Sequence, residues 1–294
     1  MAILLALITS IGHALDSFFV RKGLIETPSP MAAAFITLST NFAFFAVLSL
    51  FLLPGHLLKF EYVYVFMIAG LLAPALGRAL HYTGLHRLGM SISSPVVNTD
   101  SLFATAMALI FLKEPLSLLL ALGISGVVVG VLLLGYESGQ ERDIDIRRGF
   151  KYRYILFPLA AAMCFGLSIF LRKLGLRMVN SPILGAVVTS ATSWCVFTLY
   201  MVTSGNLGGM GLLRRRSLIY FLIAGGMNCV TWLAYFHALN MGRVSVVSPV
   251  AGCYSIFTLL LSGTLLREAE RINMRIILAT LLVAGGVITL SLAK

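Results

Sequence analysis

Ten stretches of about 20 mostly apolar residues follow one another along the chain, and that succession leaves few folds open. They lie at 2–24, 31–53, 62–85, 92–112, 117–136, 154–175, 183–203, 218–240, 245–266 and 272–292. A helix needs about 20 apolar residues to cross the hydrocarbon core of a bilayer. A transmembrane β-barrel would alternate apolar and polar positions over segments of about ten residues, and these runs are too long and too uniform for that. Composition excludes a soluble alternative. The chain is 59% hydrophobic and only 11% charged, against about 25% charged in soluble domains, so it lacks the polar surface to cover its apolar side chains. The same figures exclude disorder. The expected class is an all-α polytopic membrane protein. The first run has no basic n-region and no A-x-A cleavage site, and it carries Asp16, so it is expected to remain as a span rather than be removed as a signal peptide.

The longest polar connection, 137–153, lies almost at the midpoint and separates two copies of one pattern. Ser17-x-Phe19-x-Arg21-Lys22 matches Ser168-x-Phe170-x-Arg172-Lys173 at a shift of 151, and Ser29-Pro30 matches Ser181-Pro182 at 152. Ser94-Pro95-Val96 matches Ser248-Pro249-Val250, and Lys113-Glu114 matches Arg267-Glu268, both at a shift of 154. Small loop insertions produce such a drift, and chance does not supply four matches in order. The expected organisation is a first five-helix repeat over 1–136, a charged linker over 137–153 and a second five-helix repeat over 154–294. Because each copy has an odd number of spans, the second enters the membrane from the opposite side. Ten transmembrane helices then form two inverted repeats, an arrangement used by secondary transporters with the substrate site near the midplane.

This ordered, duplicated set of motifs resembles the EamA-type transporters of the drug/metabolite transporter superfamily, over nearly the whole chain. The resemblance implies a ten-helix transporter, not an enzyme, with spans 1, 3 and 4 of each half lining a central cavity. It also implies that spans 5 and 10 pack the halves together. It implies no particular substrate, because the superfamily carries amino acids, drugs, sugars and nucleotide-linked metabolites.

Three charges fall well inside the expected spans: Asp16 in the first, Arg78 in the third and Asp100 in the fourth. Each costs about 2.5–3.5 kcal/mol at a helix centre on insertion scales, so each is expected to pair or to face a wet cavity. His13 and His81 share helix faces with Asp16 and Arg78 at a spacing of three. At the repeat shifts, Arg78 corresponds to Trp232, His81 to Tyr235 and Asp100 to Tyr254. One half is charged where the other is aromatic, a combination suited to a small molecule with both charge and apolar surface. The candidate substrate-binding residues are therefore Arg78, Asp100, Asp16, His81, Trp232, Tyr235 and Tyr254, with Asp16, Asp100 and His13 as candidate proton carriers. Arg78 would take a carboxylate and an aspartate an amine or a proton. The bland alternative is a buried Arg78–Asp100 or Arg78–Asp16 pair that only ties helices together.

Other features carry less chemistry. The Ser-Pro steps at 94–95 and 248–249 either unwind the fourth and ninth spans or begin ordinary helices. Gly126-xxx-Gly130 and Gly285-Gly286 are expected to let spans 5 and 10 approach closely. Lys113-Glu114 and Arg267-Glu268 are expected as interfacial charge pairs, and Asn98, Asn228 and His237 as packing residues that could line the site. Cys164, Cys195, Cys229 and Cys253 fall in apolar runs with no CxxC pair and are expected to be reduced. No Walker, GxSxG or HExxH motif is present in the sequence, and no metal or cofactor is expected.

The formal charge of +11 sits mainly in short connections, which points to membrane topology rather than nucleic acid. Connections after odd-numbered spans carry 14 Lys and Arg and the opposite face carries 7; this favours termini outside, whereas the resemblance implies termini inside. The expected function is a secondary transporter exporting a small organic metabolite such as an amino acid by alternating access, with proton coupling as a further hypothesis. The competing readings are a cationic-drug exporter and a non-transporting lipid-binding or intramembrane protein. The expected partners are a small-molecule substrate and membrane lipid, the expected location the inner membrane of a prokaryote, and one chain is geometrically sufficient as a monomer.

Overall fold

The computed structural model describes residues 1–52, 60–112, 151–205, 213–242, 244–266 and 273–292, together with scattered helical positions at 118–119, 122–123, 125–126, 129–130 and 133. Nearly all the described residues are helical, with no strand among them. The helices are α1 (Ala2–Glu26), α2 (Pro30–Leu52), α3 (Phe60–Gly70), α4 (Gly77–Leu88), α5 (Met90–Val97), α6 (Asp100–Leu112), α7 (Leu156–Met178), α8 (Pro182–Thr203), α9 (Arg215–Met241), α10 (Val244–Gly252), α11 (Tyr254–Leu265) and α12 (Met274–Leu292). Among the described residues, six segments are long and apolar enough to cross a membrane: Ala2–Glu26, Pro30–Leu52, Val63–Leu88, Arg153–Met178, Pro182–Thr203 and Arg215–Met241. Large apolar side chains such as Leu50, Phe51, Leu199, Val230 and Leu260 cover the exterior. A membrane protein presents that surface to lipid.

The fourth, ninth and third expected spans are not continuous helices. The fourth divides into α5 and α6 around Asn98 and Thr99, and the ninth into α10 and α11 at Cys253. Neither break falls at the Ser-Pro step. Pro95 and Pro249 lie inside α5 and α10, and the chain turns four residues later, where Thr99 N–H bonds to Val96 O and Cys253 N–H to Val250 O. These tighter i→i−3 bonds end the α-helix and restart it at a new angle. The third span breaks at Leu71–Leu76, where Ala73 takes extended backbone angles (φ −154°, ψ 128°) and Pro74 follows it. Proline has no N–H to give the carbonyl four residues earlier, which here is Gly70 O. Side chains from the later part of the chain supply the donors. Ser193 Oγ donates to Gly70 O at 2.7 Å, Ser168 Oγ to Ala69 O at 2.8 Å and Ala73 O at 3.0 Å, and Arg172 also donates to Ala73 O. A broken span is tolerated at membrane depth when neighbours satisfy its freed carbonyls in this way.

The helices of the two halves interlock. α1 packs along α9 and also touches α10 and α11, while α7 packs on α3, α4, α5 and α6. The α1–α9 approach requires Gly12, since a Cβ there would collide with the Thr231 side chain. The expected fifth span lies mostly outside the described residues, but its Gly126 faces α12. A Cβ on Gly126 would stand 3.4 Å from the Gly286 Cα, so spans 5 and 10 come together through small residues as expected. Gly285, by contrast, faces open space. One apolar cluster joins Phe45 and Phe66 to Leu184, Trp232, Phe236 and Val247, so both halves contribute to a shared core. All four cysteines are free. The Lys113-Glu114 and Arg267-Glu268 pairs lie outside the described residues.

Candidate functional site

Each break in the helices delivers a side chain to one interior cavity. The bend at Pro74 sets the direction of α4, whose first turns carry Arg78, His81 and Tyr82. The turn at Asn98 and Thr99 makes Asp100 the first residue of α6, and the turn at Cys253 makes Tyr254 the first residue of α11. A carboxylate at a helix N-terminus is favoured by the unpaired N–H groups there. α1 contributes His13, Asp16 and Ser17, and α9 contributes Asn228, Trp232 and Tyr235. All of these residues line a cavity of about 50 Å3, room for a few waters at roughly 10–15 Å3 each. The seven residues singled out for substrate, and His13 with them, thus converge on one space from α1, α4, α6, α9 and α11.

Arg78 and Asp16, each almost fully buried, meet through the amide of Asn228 rather than as a direct ion pair. Asn228 Oδ1 accepts from Arg78 Nη2 at 2.5 Å and from Asn41 Nδ2 at 2.8 Å. Its Nδ2 donates to Asp16 Oδ2 at 3.1 Å. That orientation follows from the partners, because a flipped amide would set its NH2 against two donors. Tyr82 Oη donates to Asp16 Oδ1 at 3.3 Å, and Arg78 Nη1 donates to Thr37 Oγ1 at 3.5 Å. Hydrogen bonds to charged groups contribute about 1.5–3 kcal/mol each, so the network recovers much of the insertion cost of the two charges. The direct Arg78–Asp16 pair, one form of the bland alternative from the sequence, is thus replaced by this three-residue relay. Asn228, expected as packing, is its centre.

The opposite wall is aromatic. His13 meets the Trp232 ring edge-on at 5.8 Å and the Tyr254 ring at 5.7 Å. Trp232 and Tyr235 pack at 5.8 Å, and Tyr254 Oη donates to Ser94 O at 2.9 Å, fastening the start of α11 to α5. Two polar atoms of the lining residues, His81 Nε2 from α4 and Trp232 Nε1 from α9, are buried without a hydrogen-bond partner. Buried polar atoms of that kind are rare in folded proteins and stand ready for a ligand or water.

Arg172 of the repeated Arg-Lys pair, one of the seven Lys and Arg that the sequence count puts on the opposite face, is fully buried. Its guanidinium lies 4.1 Å above the Trp232 ring and 5.5 Å from that of Phe236. It donates to Ala73 O at the bend, and its Nε and Nη1 have no hydrogen-bond partner. It therefore braces two things at once, the break in the third span and the back of the aromatic wall. His237, also considered for the site, instead bonds Leu233 O within α9 at 2.9 Å. Asn98 is buried in the turn after α5 and does not line the cavity. Among the described residues no cluster of His, Cys, Asp or Glu is arranged to hold a metal.

The model of the EamA-like transporter family matches residues 1–136 and again residues 152–292. The chain belongs to the EamA-like transporter family. It is thus an integral, multi-pass membrane protein of a transporter family, and membership points to a transporter rather than an enzyme. A curated relative described as an uncharacterized transporter in the cobO 3' region of Sinorhizobium sp is 24% identical over 135 residues. Those residues are 46% of this chain and 94% of the relative, so the relative is about half as long. A solved crystal structure of a protein is similar over 98% of both chains with a TM-score of 0.66 at 16% identity. That likeness concerns the fold alone.

Proposed function

We propose that the protein is a secondary transporter that exports a small zwitterionic or amphipathic organic metabolite, of the size and chemistry of an amino acid, across a prokaryotic inner membrane. The observation that carries this reading is the cavity wall, with ionisable side chains from α1, α4 and α6 facing aromatic rings from α9 and α11. Arg78 offers a cation to a carboxylate, Asp100 and Asp16 offer anions to an amine, and Trp232, Tyr235 and Tyr254 offer apolar surface. His81 Nε2 and Trp232 Nε1 supply hydrogen-bonding atoms that the protein itself leaves unused.

Ten crossings in two inverted five-helix repeats complete the reading. Two family matches, one in each half, support the duplication, as does a relative of half the length. The exchange of partners between halves supports the inversion: span 1 packs on spans 8 and 9, and span 6 on spans 3 and 4. The cavity is smaller than an amino acid, so a substrate enters only when the helices around it separate on one side. Alternating access provides that motion. Transport is driven by protons carried on an intramembrane carboxylate, Asp16 or Asp100.

A thermal-shift screen of the purified protein against metabolites tests the substrate class. Zwitterionic amphipathic compounds are expected to stabilise the wild-type protein and not Arg78→Ala. Stabilisation by lipophilic cations that persists in Arg78→Ala would establish the drug-exporter reading instead.

A further inference from the structure

We infer that Asn228 is a neutral spacer that keeps Asp16 able to exchange a proton, by holding its carboxylate apart from the Arg78 guanidinium while connecting the two. The inference deepens the transport reading and rests on its proton-coupled part. It assigns that role to Asp16 rather than Asp100, and the control to a residue that carries no charge.

The argument starts from geometry. One amide joins both charges, donating to Asp16 Oδ2 and accepting from Arg78 Nη2. Its orientation is held by Asn41 Nδ2, which in turn donates to Thr37 O at 3.0 Å. A carboxylate touching a guanidinium in a low-dielectric interior stays ionised, because protonation forfeits a strong, paired contact. Placing a neutral amide between them weakens that attraction without removing the hydrogen bond. That leaves Asp16 two states, one ionised and bonded to Asn228 and Tyr82, the other protonated. The step itself is simple: a proton from the aqueous side adds to a carboxylate oxygen, removing one negative charge, and leaves to the opposite side when the cavity reopens.

The surroundings of Asp16 hold other groups that respond to pH or to its charge. α1 supplies His13, α4 supplies Arg78, His81 and Tyr82, α6 supplies Asp100, and α9 and α11 supply Tyr235 and Tyr254. Arg172 on α7 stands behind Trp232. Asp16 is the carboxylate that Asn228 bonds, and Trp232 is positioned to report its state through the shared cavity.

The test requires no identified substrate. The chain has two tryptophans, so Trp194→Phe leaves Trp232 as the sole tryptophan, excited selectively over tyrosine. Its fluorescence is followed against pH in proteoliposomes. The expected result is a pH-dependent step that vanishes in Asp16→Asn and also in Asn228→Ala, where Asp16 collapses onto Arg78 and stays ionised. The step is expected to return in Asn228→Ala/Arg78→Gln, which a merely structural loss would not allow. Asn228→Ser is measured alongside, with size-exclusion elution as the check of folding, in case the alanine variant does not fold. A wild-type step retained in Asn228→Ala, or lost there and not restored by Arg78→Gln, overturns the spacer role. A step that survives Asp16→Asn belongs to another group of the cavity, such as His13 edge-on to Trp232, and overturns the assignment to Asp16. A zwitterion screen that succeeds while the pH step is missing leaves the substrate reading standing and the spacer role overturned.

Discussion

The third span of the first half and the corresponding span of the second half differ at one decisive position. At the shift of 154, Pro74 corresponds to Asn228. The first breaks its span into α3 and α4, whereas α9 runs unbroken from Arg215 to Met241. One turn further on, Arg78 and His81 stand opposite Trp232 and Tyr235. One copy thus brings charge into the membrane on a bent helix, and the other brings rings on a straight one. The two are tied together because Asn228 reaches the charges of the first half while Ser168, Arg172 and Ser193 fill the carbonyls that Pro74 leaves open. The difference teaches that the halves have become complementary. Neither copy could pay for its own polar groups.

The sharpest test of that dependence removes a charge from one half and asks whether its former partner becomes a liability. Arg78→Met leaves the Asp16 carboxylate buried with Asn228 and Tyr82 donating to it and no cation behind them, and is expected to destabilise by about 3–5 kcal/mol. Arg78→Met/Asp16→Asn removes both charges and is expected to recover most of that loss. Unfolding of the purified variants in mixed detergent reads the difference. If the double variant is as unstable as the sum of the singles, the relay is not an energetic unit.

The bend offers a second cycle of smaller size. Ser193→Ala orphans Gly70 O and is expected to cost about 1–3 kcal/mol. In a Pro74→Ala background the new N–H at position 74 can reach Gly70 O along a regular helix, so the same Ser193→Ala is expected to cost little. Equal costs in both backgrounds would separate the serine from the bend. The same cycle sharpens the comparison, since α9 has no proline at the corresponding position and needs no such donor.

Much of this site was readable from residues alone, and the limits have physical causes. Charges are so expensive in a membrane that Asp16, Arg78 and Asp100 announce a cavity wherever they occur, and the repeat shifts then pointed to Trp232, Tyr235 and Tyr254 opposite them. The relay through Asn228 was not legible. A single asparagine in an apolar run has four hydrogen-bonding sites and no signature of which neighbours will use them. The divided spans were hidden for a related reason. Pro95 and Pro249 marked the right helices, but the turns fall four residues beyond them, at backbone positions where hydrogen bonds tighten rather than where a ring intervenes. Arg172 was misplaced because a basic residue near the end of a span ordinarily reaches for the interface, and nothing in the Arg-Lys pair says which of the two turns inward.

That pair supplies the smallest and most specific prediction. In the first half Arg21 donates to Leu85 O at 2.8 Å, at the end of α4, while Lys22 lies 4.8 Å above the Phe18 ring. In the second half the task moves one residue along. Lys173 donates to Leu239 O and Gly242 O at the end of α9, at 2.7 and 2.8 Å, and frees Arg172 to turn inward onto Trp232 and Ala73 O. A lysine already serves a helix end in one copy, so Arg21→Lys is expected to change stability by less than about 0.5 kcal/mol. Arg172→Lys loses the flat face that stacks on the indole, worth up to about 2 kcal/mol when desolvated, and is expected to lower the melting temperature measurably. It should also shift the emission of Trp232 in the Trp194→Phe protein, whereas Arg21→Lys should not. If the two substitutions prove equivalent in both readouts, the inward arginine is one more helix-end cation and the halves are less divergent than their contacts imply.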